Sequence, residues 1–202
     1  MGIRQQLSTK PWLSERGVVA EAHGFVGSTS KVTLWVFLGV VSVLFALFIA
    51  AFFIRRAYAD WQPIPVPALL WLNTVILIGS SVALQWASVS SRQEQSDGMR
   101  LGLYLGGGCA FLFLVGQWLA WRQLSELGYF VDSNPSNAFF YMLTAVHGLH
   151  LLGGLVAWLK AIIRVWQGVE IARLRMTVEL CAIYWHFLLL IWLVLFGLLL
   201  VT

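Results

Sequence analysis

The sequence predicts an all-α, polytopic membrane protein with five transmembrane helices, its N-terminus cytoplasmic and its C-terminus outside. Three observations predict it. The 202 residues are 59% hydrophobic and only 11% charged, whereas soluble domains average about 45–50% apolar and about 25% charged. Five charge-free segments, 32–54, 61–91, 101–121, 133–159 and 180–202, can each supply the roughly 20 residues that a spanning helix needs. Basic residues are also unevenly shared between the loops that alternate along the chain.

That asymmetry sets the expected orientation. Arg4, Lys10, Arg16, Lys31, Arg92, Arg100, Lys160, Arg164, Arg173 and Arg175 fall on one side, against Arg55, Arg56 and Arg122 on the other. Basic loops stay cytoplasmic. The net charge of +4 is accounted for as topology, which leaves no basic patch for nucleic acid. Alternating strands of about 10 residues, the mark of a barrel, are absent from the pattern. No short apolar core precedes a cleavage site, so no cleavable signal peptide is expected. The expected organisation is a cytoplasmic tail over residues 1–31 and a five-helix bundle over 32–202, with spans at about 32–55, 64–89, 101–122, 136–160 and 179–201.

Span one is greasy all round, with only Thr33 and Ser42 as polar groups. Span two opens with Pro65 and Pro67, expected in its first turn, where a missing N–H costs little. It then buries Asn73, Thr74, Ser80 and Ser81, side chains that hydrogen-bond neighbouring helices in lipid. Span three carries Gly102 and Gly106 as a G-x-x-x-G, a face on which two backbones approach closely, and Gln117 as its buried polar handle. Before span four, Ser136 or Asn137 is the expected cap. The cysteines, Cys109 and Cys181, lie inside spans as small hydrophobes. Trp61, Trp86, Trp121, Trp158 and Trp166 fall near span ends, as interfacial belts require.

Spans four and five hold the chemistry-bearing residues. At 100° per residue Thr144, His147 and His150 share one narrow face. Glu179 and His186, seven apart, share a face of span five, with His186 roughly 10 Å inside its mouth. A polar cluster of His147, His150, Glu179, Tyr184 and His186 between helices four and five is expected. The residues leave three uses open: hydrogen-bonded structural imidazoles, a b-type haem held by His150 and His186, or a proton relay with Glu179. A histidine pair at i, i+3 is a weak metal signal. A small transporter is disfavoured by the lack of a repeat and of a mid-membrane charge.

Several stretches, in order and on separate helices, resemble one family. They are Phe139–Gly153 with His147-Gly-Leu-His150, Tyr184-Trp-His-Phe187 followed by Trp192-Leu193, Leu72-Asn73-Thr74 with Ser80-Ser81-Val82, Gln117, and Trp35-Val36-Phe37-Leu38. Together they are similar to subunit III of the haem–copper terminal oxidases, in its short five-helix form, over roughly residues 20–202. The resemblance implies a non-catalytic subunit of a cytochrome c oxidase complex in a bacterial inner membrane. Such a subunit packs against subunit I, near subunit II and other small subunits, and supports stability and proton uptake during oxygen reduction. It carries no haem or copper itself, those belonging to partner subunits, and it binds phospholipid; Trp185 and Glu179 are the candidate lipid contacts. No catalytic, cofactor or metal residue is then expected in this chain. Under the same resemblance Asn73, Thr74, Ser80, Ser81, Gly102, Gly106 and Gln117 become helix-packing residues, and the histidine cluster becomes structural. Val41, Leu189 and Ala120 stand about where many relatives carry acids, which favours a structural role over a proton antenna. A haem b-binding anchor of another redox complex, or an accessory subunit of nitric oxide reductase, is the alternative.

Overall fold

The computed structural model describes the backbone of residues 15–201 and the side chains of residues 29–201. The first fourteen residues of the expected tail, together with Thr202, lie outside the described residues. The described residues form five helices: α1 (Glu15–Arg56), α2 (Leu69–Arg92), α3 (Ser96–Glu126), α4 (Pro135–Trp166) and α5 (Ile171–Leu200). Among the described residues there is no strand. All five helices are long and apolar enough to cross a membrane. In lipid the backbone must satisfy its own hydrogen bonds, and an unbroken helix does so within one segment. The helices run past the apolar stretches, so that Ser96–Arg100 opens α3 and Lys160–Trp166 closes α4. Helical hydrogen bonding continues beyond the point where hydropathy ends.

Contacts divide the chain into two units, one ending at Phe37 and one running from Leu38. Up to Phe37 the described backbone is helical, and Thr33 Oγ1 donates to Thr29 O at 2.9 Å. The second unit contains the bundle. Within it, Val41, Phe45 and Phe52 of α1 bury themselves against Leu143 of α4 and Ile191, Leu195 and Leu198 of α5. Phe52 makes edge contacts with Trp61 at 5.0 Å and Phe139 at 5.8 Å between ring centroids.

Two local expectations are corrected. Pro65 and Pro67 precede α2 instead of forming its first turn; the helix begins at Leu69. Each proline pushes the residue before it out of the helical region, so the Pro-Ile-Pro-Val-Pro run stays outside the helix. The cap of α4 is Asn134, whose side chain accepts from Ser136 N at 3.0 Å, with Pro135 at the first helical position. Pro135 needs no amide partner there and has a pre-set φ. Ser136 instead donates to Gln62 O, and Asn137 donates to Phe130 O.

Loops on both ends are tight. Gly128 (φ +87°) and Gly168 (φ +71°) end α3 and α4 in the left-handed region. In each case the next amide reaches back, Tyr129 N to Leu124 O at 3.0 Å and Val169 N to Arg164 O at 3.2 Å. These bonds satisfy carbonyls that a helix end leaves free.

Candidate functional site

Several polar side chains inside the spans form helix-to-helix connections. The main one is a ladder between α2 and α5. From one end, Arg92 meets Glu179 at 2.9 Å. Next, His186 Nε2 donates to Gln85 Oε1 at 3.0 Å, and its Nδ1 accepts from the Ser81 hydroxyl at 2.6 Å. Then the Trp185 indole donates to Ser80 Oγ at 2.9 Å. Finally the Trp192 indole donates to Thr74 Oγ1 at 3.0 Å. From Arg92 to Thr74 on α2 the partners run from Glu179 to Trp192 on α5, which is the register of antiparallel helices.

The hydroxyls work in both directions. Ser80 accepts from Trp185 and donates to Gly106 O on α3 at 2.7 Å. One buried hydroxyl therefore ties three helices together. Thr74 donates to Leu70 O at 2.8 Å, and Thr144 donates to Phe140 O at 2.7 Å. Each then receives an indole N–H, Thr144 from Trp121 of α3 at 3.0 Å. A short hydroxyl that donates to its own helix keeps an acceptor aimed outward at fixed geometry.

Glycines set how close the backbones come. A Cβ on Gly102 would stand 2.7 Å from Ala83 O, and one on Gly106 would stand 2.5 Å from Leu84 Cγ. The G-x-x-x-G face therefore packs on α2. Gly116 faces the carboxamide of Asn73, again on α2, and Gly154 faces Tyr184 and Trp185 on α5. Tryptophans join α3 to α4: Trp158 donates to Leu103 O at 2.9 Å and Trp166 to Tyr104 Oη at 2.7 Å.

The five residues expected to cluster are distributed as follows. Tyr184 of α5 does meet α4, its hydroxyl donating to His150 O at 2.9 Å. The His150 ring turns to its own helix, Nδ1 donating to Val146 O at 2.7 Å, and lies 5.5 Å from the Phe45 ring. Glu179 and His186 face α2 rather than α4. His147 is fully buried, with its ring centroid 5.8 Å from Phe113 and 5.2 Å from Trp192. Asn73, Ser80, Ser81 and Gln117 are buried as well. Among the described residues, no three His, Cys, Asp or Glu come together as a metal would require.

Sequence reasoning missed the indoles as connectors. Trp121, Trp158 and Trp166 read as interfacial anchors, Trp192 as part of a motif, and Trp185 as a lipid contact, which its full burial against Ser80 rules out within this chain. A signal was present: Trp185 and Trp192 stand seven apart and so share one helix face. Asp60, in the loop between α1 and α2, forms a two-point ion pair with Arg55. The Arg55 hydrogen bond holds the Asp60 carboxyl below its ordinary value.

The comparisons with known proteins agree with one another. The family model described as cytochrome c oxidase subunit III matches residues 13–201. Cytochrome c oxidase subunit 3 of Thermostichus vulcanus is 34% identical over 171 residues, covering 82% of this chain and 84% of that protein. The same-named protein of a Synechocystis species is 31% identical over 184 residues, covering 87% and 78%. A probable cytochrome c oxidase subunit 3 of Mycobacterium tuberculosis is 28% identical over 159 residues, covering 76% and 78%.

Proposed function

The chain belongs to the cytochrome c oxidase subunit III family, and from that premise we propose that it is a non-catalytic scaffold packed against oxidase subunit I. It is a multi-pass membrane protein and a subunit of a respiratory oxidase complex. In the proposal it supports the stability of subunit I and its proton uptake while oxygen is reduced. Subunit II and other small subunits complete the assembly, and phospholipid fills its lipid-facing grooves. Its place is the bacterial inner membrane, N-terminus inside and C-terminus outside, as the basic loops indicate. Haem and copper sit in the partner subunits.

One observation carries the scaffold reading: the α2–α5 ladder commits the polar groups of the last helix to structure. Both ring nitrogens of His186 are engaged by Ser81 and Gln85. Haem ligation by His186 would require breaking the Gln85 or the Ser81 bond. Glu179 is held by Arg92, at the end of the bundle rather than beside the imidazoles. Both facts favour structure over a relay or a chain-held haem.

The test is affinity purification of the tagged chain in mild detergent, with a reduced-minus-oxidised spectrum and mass spectrometry of what accompanies it. Haem a or o signal together with a large many-helix partner, both lost when the chain is stripped free, is the expected result. A Soret band that stays with the isolated chain and disappears in His150→Ala or His186→Ala would overturn the proposal in favour of a haem-binding anchor.

A further inference from the structure

Among the described residues most polar side chains inside the spans have partners, but one on each of α2, α3 and α4 does not. Asn73 Oδ1 and Nδ2, Gln117 Oε1 and Nε2, and His147 Nδ1 and Nε2 are all buried without a hydrogen-bond partner. Their exposures are 0%, 4% and 0%. Leaving a buried polar atom unpaired is costly, and in lipid no outside solvent can compensate. Six such atoms on three helices therefore call for one common explanation.

The three residues lie at one level of the bundle. Asn73 of α2 sits against Gly116, the residue before Gln117. Its neighbour Thr74 holds the Trp192 indole. Trp192 in turn packs at 4.9 Å on Phe113, one helical turn from Gln117, and at 5.2 Å on the His147 ring. Phe113 and Trp192 are thus a shared aromatic wall. On the α3–α4 side Gln117 lines a cleft of about 250 Å³ with Thr144 and Gly148, the residues that bracket His147 along α4.

We propose that Asn73, Gln117 and His147 enclose a buried hydration site, holding one or a few water molecules that bridge α2, α3 and α4. The chemistry selects a small neutral ligand. Two carboxamides and an imidazole offer donors and acceptors together, with no carboxylate or cation among them to hold an ion. A buried water takes two to four polar partners, and these side chains supply them. The inference rests on the bundle itself and stands whether or not the chain packs against subunit I.

Water-edited solid-state NMR on the full-length chain in lipid bilayers tests it. Magnetisation from water should reach the His147 ring and the Asn73 and Gln117 side-chain amides several-fold faster than the Trp185 indole, which is buried and bonded to Ser80. Asn73→Leu should slow the transfer to Gln117 and His147 several-fold. Transfer no faster than to Trp185, or transfer unaltered in Asn73→Leu, would overturn the shared site. A high-resolution map of the intact oxidase complex gives a second measurement that needs no variant. A non-protein density peak within hydrogen-bonding distance of two or more of the three side chains supports the proposal. Direct bonds among Asn73, Gln117 and His147 with no such peak would refute it.

Discussion

Ser80 does the most with the fewest atoms. Its hydroxyl is wholly buried, accepts from Trp185 and donates to Gly106 O. Ser80→Ala leaves the buried Trp185 N–H without its partner and removes the tie to α3, a loss worth about 1–3 kcal/mol. Thermal unfolding in detergent should register it, while Ser42→Ala, whose hydroxyl bonds only its own helix at Leu38 O, should stay close to wild type. Asp60 makes a different residue-scale prediction, outside the membrane. Arg55 holds its folded-state carboxyl below the unfolded value. The contribution is therefore present above the unfolded carboxylate value and lost as pH falls through the lower, folded one. The stability difference between wild type and Asp60→Asn, followed by melting temperature against pH, should be small at neutral pH and vanish in acid. The pair is exposed, so screening by salt should shrink it too.

Pairs of helices are decided by glycine and tryptophan. On α3, Gly102 and Gly106 allow contact with α2 that no Cβ would permit. Gly106→Leu must displace Leu84 and should cost about 1–3 kcal/mol through overpacking. Loss of co-purifying partner subunits is the readout; unchanged co-purification would mean that the face is not needed for assembly. Gly39→Ala is the control, since a Cβ there meets nothing within 4 Å. At the end of α3, Gly128 holds φ +87° with open space around it. Gly128→Ala should cost about 1 kcal/mol from the left-handed conformation alone, measurable as a lower melting temperature without loss of assembly. At this scale Ser80, Ser81, Gly102 and Gly106 are legible because they stand out against a greasy background, and they do lie at helix contacts, whereas Asn73 and Gln117, just as conspicuous, make no hydrogen bond. It was read less well for α5. His186 looked like the partner of His150 because sequential helices are usually neighbours. In the bundle its face turns to α2, whose Ser81 and Gln85 sit at the same depth.

For the molecule as a whole, the five spans and the charge asymmetry make a topology prediction. A phosphatase fused after Thr202 should be active outside the cytoplasm, and a fluorescent protein fused there should be dark. The reverse pattern would invert the proposed orientation. The same scale carries the assembly test, because a bundle whose α2–α5 polar groups are spent on its own helices offers its partners shape and surface rather than chemistry.

The sequence by itself determined the class, the number of spans and the family. Those follow from composition, hydropathy and ordered motifs, which are local and need no partner to be read. Only the tertiary structure decided which residues meet. Helical periodicity gives the face of a residue on its own helix, but the rotation of each helix about its axis is set by the best joint packing of all five. That packing sent Glu179 and His186 to α2, tied Tyr184 to the α4 backbone and made indoles the main inter-helix donors. It also buried Asn73, Gln117 and His147, on three different helices, with their polar atoms unpaired.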